Sequence, residues 1–178
     1  MRPAVFLDRD GVLNKLVPRG PQSLLVAPRV ASEFAFLPGV RPAVGRLRRC
    51  GLLVVVVTNQ PEIARGRLSA DELERMHLRL RSVIPVHAVY TCPHDDDDAC
   101  YCRKPLPGLI LRAVCDWQIS LRDSFIIGDS WRDIEAGASA GCATVWIDYG
   151  YREKRSSVEP SATVKSLGDA VEWILQQA

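Results

Sequence analysis

A chain of 178 residues, 47% hydrophobic and 25% charged, has the size and composition of one domain with a proper core. Its net charge of +2 gives no case for nucleic acid or a membrane surface as a partner. No apolar run reaches the length of a membrane span, and Met1-Arg2-Pro3 leads into a strand pattern without the apolar core of a signal peptide, so a cytoplasmic location is expected. Six cysteines in such a compartment argue against disulfides, and three of them share one stretch with a histidine, which points to metal.

The first element is the apolar run Val5-Phe6-Leu7, which stops at Asp8-Arg9-Asp10-Gly11. Alternate side chains of an extended chain share a face, so Asp8 and Asp10 can point together beyond the strand's carboxyl end. A cation such as Mg²⁺, or a shared proton, would offset their repulsion there. An ordinary Asp-rich turn fits these four residues equally well. Residues 15–32 lose periodicity and carry Pro18, Gly20, Pro21 and Pro28. A loop this long inside a compact domain is expected to be a lid or a substrate-contacting segment, with Lys15, Arg19 and Arg29 either meeting an anion or solvated.

Residues 40–50 place Val40, Ala43, Val44 and Leu47 at helical spacing, and Gly51 ends the helix. The β-branched run 52–57 predicts a strand buried on both faces, ending at Thr58-Asn59-Gln60. In an open α/β sheet that edge binds ligands, so Thr58 and Asn59 are candidates for phosphate recognition, with a plain capping turn as the alternative. Ser69 opens a helix over 69–82 with Glu72 as the return half of a capping box, and His77 is expected at the surface or half-buried.

A third strand, over 86–90, leads to Cys92-Pro93-His94, four aspartates, Ala99 and Cys100-Tyr101-Cys102. Cys92, His94, Cys100 and Cys102 supply three sulfurs and one imidazole, a complete tetrahedral set for Zn²⁺ with no open position. That predicts a structural zinc clamping the loop, with residues 95–98 as its solvated tip. Arg103 and Lys104 follow at once, a bidentate fork and a point charge suited to phosphate. After a helix over 106–117 and a fourth strand over 124–127 comes Gly128-Asp129-Ser130. Asp129 is positioned to complete an oxygen cage with Asp8 and Asp10, while Asp133 starts the next helix as a cap or a supporting group. A helix over 134–140, a strand over 143–147, a polar loop over 151–162 and a helix over 167–176 close the chain. Cys50, Cys115 and Cys142 read as core or helix-end residues. The expected architecture is one α/β domain over 1–178, three layers around a mainly parallel Rossmann-like sheet, with no large cap domain.

In order and at successive strand ends, Asp8-x-Asp10-Gly11, Thr58-Asn59-Gln60, Arg103-Lys104-Pro105 and Gly128-Asp129 resemble the four motifs of the haloacid dehalogenase superfamily. Within it, residues 6–12, Thr58-Asn59-Gln60 with Ile63-Ala64-Arg65-Gly66, and the Cys-x-His…Cys-x-Cys-Arg-Lys-Pro loop resemble the D-glycero-D-manno-heptose 1,7-bisphosphate 7-phosphatases. The histidinol-phosphate phosphatases share most of this pattern. The resemblance implies a phosphatase of a small phosphorylated metabolite. Asp8 would be the nucleophile and Asp10 the general acid and base, with Mg²⁺ on the Asp8 and Asp129 carboxylates and the Asp10 carbonyl. Thr58 and Lys104 would hold the phosphoryl oxygens, and Arg103 the rest of the substrate. Zn²⁺ on the four-ligand loop would keep Arg103 and Lys104 in place, and a monomer is expected. Three departures concern what is bound: the long 15–32 loop replaces a short segment, Pro61-Glu62 stand where a small residue and glycine are usual, and Ser130 stands where some members carry lysine. The contrasting alternative is a zinc-stabilised binding domain with a retired site, against which the intact set of converging charges argues.

Overall fold

The computed structural model describes residues 1–150 and 156–177. Strand β1 (Ala4–Leu7) is buried at all four positions, which is why it is apolar throughout rather than alternating. Next comes an antiparallel hairpin, β2 (Val17–Arg19) and β3 (Leu24–Val26), within the stretch expected to be structureless. Two features hide it from the pattern. Pro18 sits on a two-stranded ribbon with unpaired outer edges, where a missing N–H is tolerated, and Leu24 and Leu25 are both exposed, so no burial alternation is written into the sequence.

Helix α1 (Val40–Arg49) buries Val40, Ala43, Val44 and Leu47, and Gly51 supplies the left-handed residue beyond its end, with φ of 81°. Strand β4 (Leu53–Asn59) follows, then helix α2 (Ala70–Val83). The Ser69 hydroxyl accepts from the Glu72 N–H at 3.2 Å, but the Glu72 carboxylate turns instead to the Ala31 N–H and to Arg75, so half of the expected capping box forms. His77 is buried, deeper than the surface or half-buried position expected of it. The remaining elements are β5 (Ala88–Cys92), α3 (Gly108–Trp117), β6 (Phe125–Gly128), α4 (Trp131–Ala140), β7 (Ala143–Ile147), β8 (Ala162–Val164) and α5 (Leu167–Gln177).

Six strands form one parallel sheet in the order β5-β4-β1-β6-β7-β8. Strand β8 is an addition to the expected sheet. It is three residues long and anchored where Thr144 and Ser161 exchange main-chain and side-chain hydrogen bonds, so its partner rather than its own sequence specifies it. Part of the loop expected over 151–162, residues 151–155, lies outside the described residues. The two faces carry separate apolar layers. Val5 and Leu7 pack with residues of α1, α2 and α5, while Ala4 and Phe6 pack with residues of α3 and α4. Each fully buried aliphatic side chain contributes roughly 1.5–3 kcal/mol. Among the described residues no helix is long and apolar enough to cross a membrane.

From β1 the chain builds outward to β4 and β5, then returns to β6 on the other side. The switch point therefore lies at the carboxyl ends of β1, β4 and β6, where an open parallel sheet leaves a crevice. Asp8, Thr58-Asn59 and Asp129 all sit at this edge.

Candidate active site

Asp8 follows β1 directly, and its carboxylate accepts from the Lys104 Nζ at 2.8 Å. The same ammonium donates to the Val57 carbonyl at 2.8 Å and to Asp133 Oδ1, so all three of its protons are used, inside the protein. Burial pushes Asp8 up to about 7; Lys104 pulls against this, while Asp133 and Asp10 add to the rise. For Lys104 burial opposes the charge, but the Asp133 and Asp8 carboxylates hold it well above the ordinary lysine range. A buried ammonium shared by two carboxylates is a fixed positive point beside the Asp8 carboxylate.

Asn59 does not turn its amide toward Asp8. It brackets the Lys104 main chain, donating to the carbonyl at 3.0 Å and accepting from the N–H at 3.1 Å, which ties the end of β4 to the start of the Lys104 side chain. Thr58 is buried, and its Oγ1 accepts from Gln60 Nε2 at 2.8 Å. Arg103 stands on the outer side, donating to Asp96 at 2.8 Å and to the His94 carbonyl at 3.3 Å. The Asp10 carboxylate accepts from Arg9, from Asn14 Nδ2 at 2.8 Å and from Gln60 Nε2 at 2.7 Å. Asp133 both caps α4, accepting from the Ser130 N–H at 3.2 Å, and pairs with Lys104, joining the two roles the sequence left open for it.

Asp8, Asp129 and Asp133 bring one carboxylate oxygen each within 4.8 Å of one another. Hard oxygens carrying that much negative charge fit a divalent cation such as Mg²⁺. Asp133 is engaged on both oxygens, by Lys104 and by the Ser130 N–H. Gly11 makes the approach of Asp129 possible: with φ of 83° it occupies the left-handed region, and a Cβ there would lie 1.9 Å from Asp129 Oδ2. The Gly11 carbonyl is held from the other side by the Tyr149 hydroxyl at 2.9 Å.

In the second cluster, Cys92 Sγ lies 3.6 Å from both Cys100 Sγ and His94 Nδ1, Cys100 and Cys102 are 3.6 Å apart, and His94 Nδ1 is 3.3 Å from Cys102 Sγ. A tetrahedron with metal–sulfur bonds of about 2.3 Å has edges of about 3.8 Å, so the four ligands have the spacing of a closed zinc centre. The aspartates beyond it are not a solvated tip only. Residues Asp96–Asp98 form a 3-10 turn capped by Asp95, and Asp95 accepts from Arg65 Nε and Nη2.

Residue-type reasoning missed the surroundings of Asp10. Arg9, Asn14 and Gln60 all converge on it, and Arg9 is fully buried. No strand period records it: β1 ends at Leu7, and the Arg9 guanidinium meets the carboxylate of its own chain neighbour.

A HAD-hydrolase-like family model matches residues 101–170. The D-glycero-β-D-manno-heptose-1,7-bisphosphate 7-phosphatase of Bordetella bronchiseptica is 33% identical, with 98% of each chain covered. The enzyme of that name from Pseudomonas putida is 38% identical over 84% of this chain and 85% of its own. A crystal structure of the D,D-heptose 1,7-bisphosphate phosphatase from B. bronchiseptica, complexed with magnesium and phosphate, superimposes with a TM-score of 0.78 at 32% identity and covers both chains fully. Identity at this level over nearly the whole length places the chain in the D-glycero-D-manno-heptose-1,7-bisphosphate 7-phosphatase family of HAD-like phosphatases.

Proposed function

We propose that this protein is a Mg²⁺-dependent phosphomonoesterase that removes the 7-phosphate of D-glycero-D-manno-heptose 1,7-bisphosphate through an aspartyl-phosphate on Asp8. The observation that carries the proposal is the buried Asp8–Lys104–Asp133 array facing Asp129 across Gly11. It brings the Asp8 carboxylate, a fixed cation and a set of oxygen donors to one point of the switch crevice, which supports the reading. The names of the relatives support the substrate.

An Asp8 carboxylate oxygen forms a bond to phosphorus as the bond from phosphorus to the sugar oxygen breaks, and the Asp10 carboxyl gives its proton to that departing oxygen. Water then attacks the phosphorus of the acyl phosphate and yields its proton to Asp10, releasing inorganic phosphate and restoring Asp8. The Thr58 hydroxyl takes one phosphoryl oxygen and Lys104 another, exchanging its hydrogen bond to Asp8 for one to the phosphoryl group as the Asp8 oxygen attacks. Asn59 holds Lys104 in place by its main chain, a supporting role beside any contact it makes with phosphate. Arg103, farther out, meets the remainder of the substrate. Mg²⁺ held by the Asp8 and Asp129 carboxylates and the Asp10 carbonyl would supply charge neutralisation between anionic nucleophile and anionic ester. Cys92, His94, Cys100 and Cys102 would hold a structural Zn²⁺.

Phosphate release with Mg²⁺ from both anomers of the heptose bisphosphate, histidinol phosphate and several sugar monophosphates tests this. The expected outcome is kcat/KM highest for a heptose bisphosphate and a loss of at least about 10³-fold in Asp8→Asn. Equal rates across the panel would sink the substrate assignment, and unchanged turnover in Asp8→Asn would sink the mechanism.

A further inference from the structure

Arg9 takes no direct part in the chemistry above, yet its guanidinium is withdrawn completely from water. Burying a charge costs several kcal/mol unless it is paired and hydrogen-bonded. Here the compensation is directional. Nη2 donates to Asp10 Oδ1 at 3.0 Å and to Oδ2 at 2.9 Å, and Nε donates to Oδ1 at 3.2 Å. On the far side Nη1 lies 3.2 Å from His77 Nε2, and the guanidinium carbon stands 5.7 Å from the centre of the Phe34 ring. Arginine has no acceptor, so His77 must accept through Nε2, which makes it the neutral tautomer with its proton on Nδ1. Burial and the neighbouring Arg9 charge both favour that neutral form.

Side chains from α2 and from the segment before α1 thus grip the guanidinium from behind while it grips Asp10 from the front. Apolar side chains of similar volume would fill the same space at little cost to stability. What they could not do is fix the plane of a carboxylate that must meet a leaving oxygen in one step and a water in the next. We infer that Arg9, clamped by His77 and Phe34, is a positioning residue that holds the Asp10 carboxylate in the orientation from which it gives and takes the reaction's protons. The inference rests on the role proposed above for Asp10. Lysine cannot substitute, because one ammonium nitrogen lacks the planar fork that reaches Asp10 through Nε and Nη2 and His77 through Nη1 at once.

The test uses leaving groups that differ in their need for a proton. Wild type, Arg9→Lys and His77→Gln are compared on D-glycero-D-manno-heptose 1,7-bisphosphate, an alkyl ester whose departing oxygen needs protonation, and on p-nitrophenyl phosphate, whose departing oxygen does not. In Arg9→Lys, kcat on the alkyl ester should fall about 10²-fold with KM nearly unchanged. The first release of p-nitrophenolate should fall less than about tenfold and become a burst matching the enzyme concentration, because hydrolysis of the aspartyl-phosphate still needs an oriented base. His77→Gln should show the same split at about 3- to 10-fold, and it decides alone if Arg9→Lys melts below the assay temperature. Equal losses on both esters without a burst, or wild-type rates throughout, would overturn the inference. Failure of the functional assignment is separable, since wild type itself would then show no preference for the heptose bisphosphate, whatever its rate on p-nitrophenyl phosphate.

Discussion

His77 is neutral because every neighbour but one opposes its charge. Burial comes first, then Arg9 and Arg81, with Asp10 the single opposing influence, and together they press it down to about 3. An unfolded histidine titrates near 6.5, so between that pH and about 3 the unfolded chain binds a proton that the folded one refuses. The stability contribution is complete above about 6.5 and is lost as the pH falls, at up to about 1.4 kcal/mol per pH unit for this one group. Urea midpoints of wild type and His77→Gln, followed from pH 7 to pH 4.5, should therefore converge on acidification, with wild type the more pH-sensitive. Parallel curves would show that His77 is protonated in the fold and would remove the acceptor that Arg9 requires. The burial of His77 was not read from the sequence, although Leu73, Met76, His77 and Leu80 follow helical spacing on one stripe and held the signal. Its partner left no such signal, because Arg9 is 68 residues away in sequence and nothing local records the meeting.

The hairpin and the four-ligand loop are separate elements joined by one turn. Glu62, buried just after β4, pairs with Arg29 on the segment following the hairpin and with Arg65 at 3.0 Å. Arg65 in turn pairs with Asp95 of the capped turn, and Arg103 with Asp96. Arg19 of β2 is tied by Glu33, whose carboxylate also accepts from the Arg29 N–H. Side-chain ion pairs through Glu62 thus fix this turn. Glu62→Gln keeps the shape and removes the charge, leaving Arg29, Arg65 and Arg67 each short of a partner in a half-dry turn. The expected cost is about 1–3 kcal/mol. Amide exchange should quicken in residues 24–33 and 95–98 while β1 and β4 stay protected. Uniform exchange across all of these, or none, would mean that the hairpin and the loop are independent. Sequence pattern served well for β1, β4 and α1, whose burial alone dictates their composition. It failed for the hairpin and for β8, which exist through pairing with partners rather than through any apolar face of their own.

At the scale of the molecule, the order of polar groups at strand ends was enough to locate the crevice, because a parallel sheet with one switch point brings all those ends together. What order could not supply was the height at which each group stands. That is set by the four-ligand loop, which runs from Cys92 at the end of β5 to Cys102, two residues before Lys104. The loop folds back so closely on α3 that a Cβ at Gly108 would lie 2.1 Å from the Tyr101 carbonyl. Lys104 thus reaches Asp8 and Asp133 from a segment with little core of its own, which Asn59 holds at one end and the metal would hold at the other. Removing zinc by chelation, or by Cys102→Ser, should lower Tm by roughly 10 °C and reduce turnover in step with zinc content. Adding Zn²⁺ to the chelated wild type should restore both. Depleting Mg²⁺ alone should abolish turnover and leave Tm almost unchanged, because the acidic cage rests on strands that are already buried. Zinc-free protein with full turnover would show that Lys104 is held by Asn59 and its two carboxylates without help. A fall in Tm with kcat preserved would separate the loop's contribution to folding from its contribution to the site.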